Sequence, residues 1–232
     1  MDRVRPNVAE FKLEIKNFNM IAADSKCRVC RRVGQKLFLK SDKCFSPKCT
    51  LVKKSYPPGI HGRKILKRRR SVLSEYGLQL KEKQRLKFFY GLREKQFSRY
   101  IQEATGKKGV DSAVLISKIL ELRLDNAVFR LGFAKSRSSA RQLVSHGHIV
   151  VNGRKITIPS YRLKKGDEIA VRPQSFDKKV FSDLDLILKK YNPPAWLKLD
   201  KTKKIGQVAS FPGLDAIPPD VDINAIIEFY SR

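Results

Sequence analysis

The alternation of apolar and polar residues predicts its clearest compact unit within residues 121–176. Three apolar positions recur there at the spacing of one helical face: Leu124, Val128 and Leu131. The segment stops at Gly132, a residue suited to the left-handed exit of a helix. Ser136 then offers a hydroxyl N-cap to a second short helix that ends at His146. The pattern therefore predicts two consecutive short helices.

The next stretch changes to the period of β-strands. Residues 149–158 form two β-branched runs joined by Asn152-Gly153, the dipeptide most typical of a tight hairpin. A third strand, residues 168–172, follows a turn at Lys165-Gly166-Asp167. We therefore expect the two helices to pack beside a small antiparallel sheet, so that residues 121–176 form one module.

Helical patterns flank this module on both sides. One face of a predicted helix collects Phe97, Tyr100, Ile101 and Ala104. Asp111 or Ser112 caps a helix before the module, and Asp222 caps a last helix after it. Residues 177–232 have too little apolar surface for a core of their own, so we expect them to complete a helical domain of residues 63–120. The fold class is then α+β, a mainly helical discontinuous domain with the module inserted into it.

Residues 1–25 precede these patterns as an N-terminal extension. Phe11, Leu13 and Ile15 alternate there with charged residues, which is the period of a strand with one buried face. A single strand cannot bury that face alone. We therefore expect it to add to the edge of a sheet, in this protein or in another one.

The amino-acid composition indicates which class of molecule the protein binds. The 232 residues carry 50 Lys and Arg against 22 Asp and Glu, a formal charge of +28. Such a charge opposes compaction unless a polyanion offsets it, so nucleic acid is the expected partner. No stretch approaches the ~20 apolar residues of a membrane span, so membrane binding is not expected. An N-terminus that contains acids and has no apolar signal core favours a cytoplasmic protein.

The four cysteines predict a metal site within residues 26–62. Cys27 and Cys30 form one close pair, and Cys44 and Cys49 form a second pair after thirteen intervening residues. In a reducing compartment, two such pairs favour four thiolates around a structural zinc ion, with no coordination position left for catalysis. The same residues also suit an iron–sulfur cluster, and simple buried thiols or a redox pair are further interpretations. We expect a zinc knuckle followed by a basic loop.

Basic residues dominate the segment around this knuckle. Between residues 26 and 74 there are sixteen Lys or Arg and a single acid, Asp42. The densest positive run comprises Arg63, Lys64, Lys67, Arg68, Arg69 and Arg70. Such a run can also be a nuclear-import signal or a solvated tail. Because a knuckle and a helix flank it, we expect it to contact nucleic acid.

The module supplies the second set of candidate RNA-binding residues. They are polar or basic positions on its helices and hairpin: Arg123, Arg130, Lys135, Ser136, Arg137, Arg141, Gln142, His146, Asn152, Arg154 and Lys155. Arg137 and Arg141 lie four residues apart, so both guanidinium groups should share one exposed helix face and bind phosphates. The alternative interpretation is that these arginines only solvate the outer face of a small domain.

Motifs along most of the chain resemble a known family. In the module, Ser136-Arg137, Ala140-Arg141-Gln142-Leu143-Val144, Val151-Asn152-Gly153 and Lys165-Gly166-Asp167 stand in the order of the S4 RNA-binding domain. Elsewhere the cysteine spacing, Leu37-Phe38-Leu39-Lys40, Tyr56-Pro57-Pro58-Gly59-Ile60-His61-Gly62, Ser74-Glu75-Tyr76-Gly77 and Ile226-Ile227-Glu228-Phe229-Tyr230-Ser231 are similar to those of bacterial-type ribosomal protein S4. The resemblance covers residues 26–232 and leaves residues 1 to 20 unexplained.

The resemblance implies a specific role. It implies a primary binder of small-subunit rRNA that sits at a multi-helix junction, nucleates assembly of the subunit body, and contributes to messenger entry and translational accuracy. The implied partners are small-subunit rRNA, neighbouring small-subunit proteins, especially S5, and messenger RNA near the basic run that follows Gly62. The small ribosomal subunit is the implied location, and the family leaves an organellar ribosome open.

An enzyme that carries the same module, such as a pseudouridine synthase, is the rival interpretation. Arg123-Leu124-Asp125 superficially resembles the context of its catalytic aspartate. The triplet opens a predicted helix, however, where an acid stabilises the positive end. No stretch is long enough for a further substrate domain, and the three histidines have no nucleophile at a recognisable spacing. We therefore expect no catalytic residues.

Overall fold

The computed structural model describes residues 26–67, 74–107, 109–218 and 220–232. The helices before the module are α1 (Lys26–Val33), α2 (Ser41–Phe45), α3 (Thr50–Lys53), α4 (Gly62–Lys67), α5 (Glu75–Phe89), α6 (Glu94–Thr105) and α7 (Ser112–Glu121). The module and the remaining chain contain α8 (Leu124–Arg130), α9 (Arg137–Ser145), β1 (Ile149–Val151), β2 (Arg154–Lys155), β3 (Glu168–Val171), α10 (Leu184–Lys190), β4 (Leu197–Asp200), β5 (Ile205–Val208) and α11 (Ile223–Ser231). Single 3₁₀ turns lie at Pro173–Ser175, Lys179–Phe181 and Leu214–Ala216.

The chain divides into two compact units. The described residues of the first unit are 26–36 and 47–67, and those of the second are 37–46 and the chain from residue 74 onward. The predicted strand at Phe11, Leu13 and Ile15 lies outside the described residues, as do Arg68, Arg69 and Arg70. None of the helices in the described ranges is long and apolar enough to cross a membrane.

In the first unit, one arginine ties a loop to a helix. Helices α1 and α3 pack together. The Nε of Arg31, on α1, donates to the carbonyl of Tyr56 at 2.9 Å, and its Nη2 donates to the carbonyl of Pro57 at 3.2 Å. A guanidinium group can make such a fork of bonds because its donors are planar and fixed. The loop before α4 is therefore held by hydrogen bonds where little apolar surface is available.

The helical part of the second unit is built from α5, α6, α7 and α11. Its core contains Leu86, Phe97, Ile101, Ile116, Leu120, Ile217 and Ile226, all nearly inaccessible. Local capping starts the helices where the sequence predicts: Asp111 accepts from the amide of Ala113 at 2.9 Å, and Asp222 accepts from the amide of Ala225 at 3.2 Å. Helix α11 packs against α5 and α6, so the end of the chain completes this core.

The module has the two predicted helices and a hairpin. Ser136 caps α9 by accepting from the amide of Ser139 at 3.2 Å. Asn152 and Gly153 both have positive φ, +49° and +76°, which is what a two-residue hairpin turn requires. The sheet is antiparallel throughout, with the order β2-β1-β3-β5-β4. The prediction of two helices beside a small antiparallel sheet is confirmed, and the sheet has five strands where the sequence predicted three.

The expected role of residues 177–232 needs correction. Strands β4 and β5 extend the module's sheet, because β5 pairs with the free edge of β3. Side chains from the same stretch, including Leu184, Leu188 and Trp196, enter the module's core. A Cβ at Gly206 would overlap the side chain of Leu131, so glycine allows β5 to lie against α8. Residues up to about 208 thus complete the module, and only the chain from Ile217 onward packs in the helical core.

Candidate nucleic-acid interface

Asp125 lies at the centre of a buried ion pair at the start of α8. It accepts from Nε and Nη2 of Arg123 at 3.0 and 2.8 Å, and from Nε of Arg141 at 2.9 Å. The Nη1 of Arg123 donates to the hydroxyl of Tyr100 at 2.6 Å. Arg123 and Asp125 are each only 2% exposed. Arg123 is therefore bonded inside the protein and not exposed, and its contact with RNA stays a prediction.

Glu121 forms the second buried carboxylate site, at the end of α7. It is fully buried and accepts from the Tyr90 hydroxyl at 2.5 Å, from Nδ2 of Asn126 at 2.8 Å and from both Nε and Nη2 of Arg130. Burial, together with the Glu121 charge, raises the pKa of Tyr90 well above its usual value. Arg130 also donates to the carbonyl of Ala216 at 2.6 Å. Arg130 is thus bound to a buried carboxylate and is mostly buried, and its contact with RNA stays a prediction.

Arg137, at the start of α9, is held among aromatic rings. Its Cζ lies 4.0 Å from the ring centre of Phe89, 4.6 Å from that of Phe129 and 5.1 Å from that of Tyr90. Nε donates to Oδ1 of Asn126 at 2.9 Å, while Nη2 is buried and has no hydrogen-bond partner in the described chain. Burial disfavours the charged form and lowers the pKa of Arg137 to about 10. The expectation of a freely exposed guanidinium is wrong here too.

Arg141 is half-buried and joins α9 to the turn after α5. Besides its bond to Asp125, its Nη1 donates to the carbonyl of Gly91 at 2.6 Å and its Nη2 to that of Tyr90 at 3.1 Å. The helical spacing correctly predicts that Arg137 and Arg141 share one face of α9. That face, however, contacts other segments of the chain and does not face solvent. Periodicity could not show this, because the acceptors come from two other segments of the chain, α8 and the turn after α5.

The cluster of Arg123, Arg130, Arg137 and Arg141 has two carboxylates within it, Glu121 and Asp125, which together pair with three of the arginines. Arg137 has no ion pair among the described residues, and four guanidinium groups with two carboxylates leave a net charge of +2. A fixed excess of positive charge at reduced solvent access produces a stronger local potential than the same charges on mobile surface side chains. The network both fixes the α8–α9 pair and makes its surroundings electropositive.

The remaining module candidates divide into bonded and exposed side chains. Ser136 is the helix cap, the amide of Asn152 is bonded to Asp167 at 2.9 Å, and Lys135 pairs with Asp183 at 3.2 Å. Gln142, His146, Arg154 and Lys155 are exposed. The side chain of Lys155 runs against Gly147, which brings the hairpin beside the end of α9. We call the exposed residues Gln142, His146, Arg154 and Lys155 the α9–hairpin face, since Lys155 lies beside the end of the helix that carries Gln142 and His146.

The second unit also contains exposed aromatic residues that sequence reasoning did not select. Phe38 and Phe45 stack with ring centres 5.0 Å apart and are 41% and 76% exposed. The hydroxyl of Ser41 donates to the carbonyl of Lys135 at 2.7 Å and fixes their segment to the module. The run Leu37-Phe38-Leu39 is one of the motifs of the family resemblance, which assigns these residues no role of their own. An apolar run inside so basic a stretch was the available signal.

In the first unit, Arg63 and Lys64 are exposed on α4. The Nε of Arg63 donates to the hydroxyl of Tyr56 at 3.1 Å, and this bond is the main reason why the pKa of Tyr56 is lowered. Arg31 lies 4.7 Å and Arg63 5.4 Å from the centre of the same ring. Tyr56 therefore orients the first basic side chain of the run.

The four cysteines lie in short helices or at their ends. Cys27 and Cys30 are one turn apart on α1, and Cys49 precedes α3, which packs on α1 in the first unit. Cys44 belongs to α2 of the second unit, where its Sγ accepts from the amide of Lys40 at 3.2 Å. Cys30, Cys44 and Cys49 are buried. Among the described residues, no three His, Cys, Asp or Glu side chains are arranged to hold a metal ion, so zinc stays a prediction.

Comparison with known proteins agrees with this architecture. Residues 22–121 match the sequence model of the ribosomal protein S4/S9 N-terminal domain, and residues 122–169 match that of the S4 domain. The chain is 47% identical over 206 residues to small ribosomal subunit protein uS4 of Natranaerobius thermophilus, covering 89% of this chain and 96% of the relative. The uS4 proteins of Halothermothrix orenii and Thermus thermophilus are 48% and 46% identical over the same shares. The chain therefore belongs to the uS4 family of small ribosomal subunit proteins.

Proposed function

We propose that this protein is a structural component of the small ribosomal subunit that binds the subunit's rRNA and helps to nucleate its assembly. The observation that carries the proposal is the near full-length similarity to relatives named small ribosomal subunit protein uS4. The formal charge of +28 supports a polyanionic partner. The location that follows is the ribosome, and we place it in cytoplasmic small subunits.

The α9–hairpin face is the RNA contact that we favour within the module. Its side chains are exposed, and the buried network beneath them fixes the helices, so little conformational entropy is lost on binding. Folded RNA shows little sequence in its deep major groove, so a rigid surface of this kind recognises the spacing of phosphates. Arg154 and Lys155 supply charge, and Gln142 and His146 supply hydrogen bonds.

The basic run that begins on α4 is the second RNA contact that we propose. Arg63 and Lys64 are exposed, and Tyr56 holds Arg63 in place. Lys67, Arg68, Arg69 and Arg70 extend the run in sequence. On the family resemblance, this run meets messenger RNA near its entry to the subunit. The neighbouring protein S5 is the protein partner that we expect, with an influence on translational accuracy.

We further propose zinc as a structural metal of Cys27, Cys30, Cys44 and Cys49, on the strength of their spacing. The chemistry of the residues fits, since all four donors are sulfur, and two of them lie one turn apart on a helix. Zinc bound by four thiolates would cross-link a segment too basic to fold by burial alone. Metal analysis of the purified protein tests this: about one zinc per chain is expected, and the paired change Cys27→Ser and Cys30→Ser should abolish it. Iron in place of zinc would indicate a cluster instead.

The enzyme alternative is not favoured. The relatives that match both parts of the chain are named as ribosomal proteins. The aspartate of the Arg123-Leu124-Asp125 triplet is only 2% exposed and is bonded to two arginines. A carboxylate in that position stabilises the fold and cannot reach a substrate base.

The test is binding of the full chain to small-subunit rRNA. Filter binding between 50 and 200 mM salt should show affinity falling by about 10³-fold or more if ~8 phosphates are contacted. Chemical footprinting should protect several helices of a junction. Binding that is independent of salt, or equal binding to an unrelated RNA of the same length, would contradict the proposal.

A further inference from the structure

A cleft in the second unit joins the aromatic pair to the arginine cluster. It is small, with a volume of about 30 Å³, and its walls include Phe38, Tyr90, Gly91, Arg137, Ser138 and Arg141. Segment 37–46 contributes one wall and the start of α9 the other. A space of this size holds one or two water molecules, so a larger ligand would lie over the mouth of the cleft and not inside it.

One side of the cleft favours an anion. Arg137 and Arg141 belong to the arginine cluster of net charge +2, and Nη2 of Arg137 has no hydrogen-bond partner in the described chain. Arg137 and Ser138 are also the first two residues of the nine-residue helix α9. The amides of the first turn of a helix carry a partial positive charge, and the Ser136 hydroxyl occupies only the amide of Ser139. The positive charge of the arginines and the direction of helix α9 therefore both favour an anion on this side of the cleft.

The other side is aromatic and exposed. Phe38 lines the cleft, and Phe45, stacked on it, is the more exposed ring at 76%. Phe38 has a positive φ of +49°, which is unfavourable for a residue with a large side chain. Two exposed phenylalanines and a disfavoured backbone angle are costs that the fold alone does not explain.

We propose that the mouth of this cleft, together with the exposed rings beside it, is a subsite for one nucleotide of an RNA strand, with the phosphate on the Arg137–Ser138–Arg141 side and the base against the Phe38–Phe45 stack. The inference rests on the proposed function and adds a location and a mode of contact to it. Base stacking on aromatic rings and phosphate binding by arginine are the two contacts by which proteins hold single-stranded nucleotides. The occupant is then an unpaired nucleotide, and not the continuous phosphate backbone of a duplex.

The first test removes the ring without changing charge. Phe45→Leu should lower the affinity of the full chain for small-subunit rRNA about fivefold or more, a magnitude typical of one lost stacking contact. The slope of affinity against salt should not change, because no phosphate contact is removed. The matched control is Phe211→Leu, which alters a phenylalanine that is 50% exposed elsewhere and should change the affinity less than twofold.

The second test adds a carboxylate to the anion side. Ser138→Asp should weaken rRNA binding at least fivefold by repelling the phosphate, while thermal stability is kept or raised because an acid suits the first turn of a helix. Ser210→Asp places the same charge at another exposed serine and controls for overall charge. Wild-type affinity in both Phe45→Leu and Ser138→Asp would overturn the subsite and leave rRNA binding intact.

Two other outcomes separate the explanations. If the unaltered chain does not bind rRNA, the proposed function fails before the subsite is tested. If Phe45→Leu binds rRNA normally but enters reconstituted small subunits poorly, the aromatic pair contacts a protein, and the nucleotide subsite is refuted. Photocrosslinking of rRNA that contains 4-thiouridine should label a peptide from segment 37–46, and labelling elsewhere alone would contradict the proposal.

Discussion

Replacing Glu94 with glutamine should destabilise the helical part of the second unit more than any surface charge change. Glu94 opens α6 and accepts from Nζ of Lys83 at 2.8 Å, from Nζ of Lys87 at 2.7 Å and from the Tyr230 hydroxyl at 2.7 Å. It thereby joins α5, α6 and α11. Both lysines are almost completely buried, so Glu94→Gln removes a carboxylate charge from two buried ammonium groups.

The magnitude follows from the pKa of Glu94. Burial alone would raise it, but the hydrogen bonds from Lys83, Lys87 and Tyr230 prevail and lower the pKa from 4.5 to about 2. At about 1.36 kcal/mol per pKa unit the shift corresponds to roughly 3 kcal/mol. The side chain is 40% exposed, so solvent screening reduces this ionic contribution to about 1–2 kcal/mol. Because two nearly buried lysines also lose this carboxylate, we expect Glu94→Gln to lower the free energy of unfolding by about 2–4 kcal/mol at neutral pH.

The pH dependence has a definite sign. Because the folded state lowers the pKa, Glu94 contributes stability that is complete above pH 4.5 and is lost as the pH falls towards 2. The difference in unfolding free energy between the wild type and Glu94→Gln should therefore shrink across that window, measured by urea denaturation. Glu103→Gln is the control, since Glu103 pairs with the exposed Arg162 and should cost less than about 1 kcal/mol. Equal losses in the two variants, or a difference that is independent of pH, would refute this reasoning.

The remaining predictions address the sheet, the arginine cluster and the exposed face. Gly206→Ala forces a methyl group into Leu131 and should cost about 1–3 kcal/mol in denaturation, while Gly213→Ala, with open space around it, should be nearly neutral. Arg141→Ala should lower the melting temperature in calorimetry, because it leaves Asp125 and two carbonyls with fewer donors. Arg154→Ala should leave the melting temperature unchanged but weaken rRNA binding and reduce the log–log salt slope by about 1 in filter binding. A stable Arg141→Ala protein with weakened RNA binding would restore the exposed interpretation of that residue.

The parts of the fold that local chemistry determines could be predicted from the sequence. Caps at Ser136, Asp111 and Asp222 and the hairpin at Asn152-Gly153 depend only on neighbouring residues, and the structure has them where the pattern indicates. Strands β4 and β5 were missed because each has four residues, and because β5 pairs with β3 across more than thirty intervening residues. A short apolar run contains no information about so distant a partner.

The candidate site shows the same division. The positive charge of the module could be predicted by counting residues, and the polarity of Gln142, His146, Arg154 and Lys155 agrees with their exposure. The sequence could not show which arginines are internal. Their position depends on acceptors that only the fold brings together, namely Glu121, Asp125 and the carbonyls of Tyr90 and Gly91. An arginine at helical spacing has the same sequence signature whether its partner is a phosphate or a buried acid.

The pairing of β5 with β3 limits how far the RNA-binding module can be treated as portable. The S4-domain match ends at residue 169, within β3, whereas the sheet continues through residue 208. A fragment cut at that boundary would lose half of β3 and expose Leu131 together with an unpaired strand edge, which invites aggregation. A module transferred into another protein should therefore include the downstream hairpin of β4 and β5, because in this chain the edge of β3 is covered by β5.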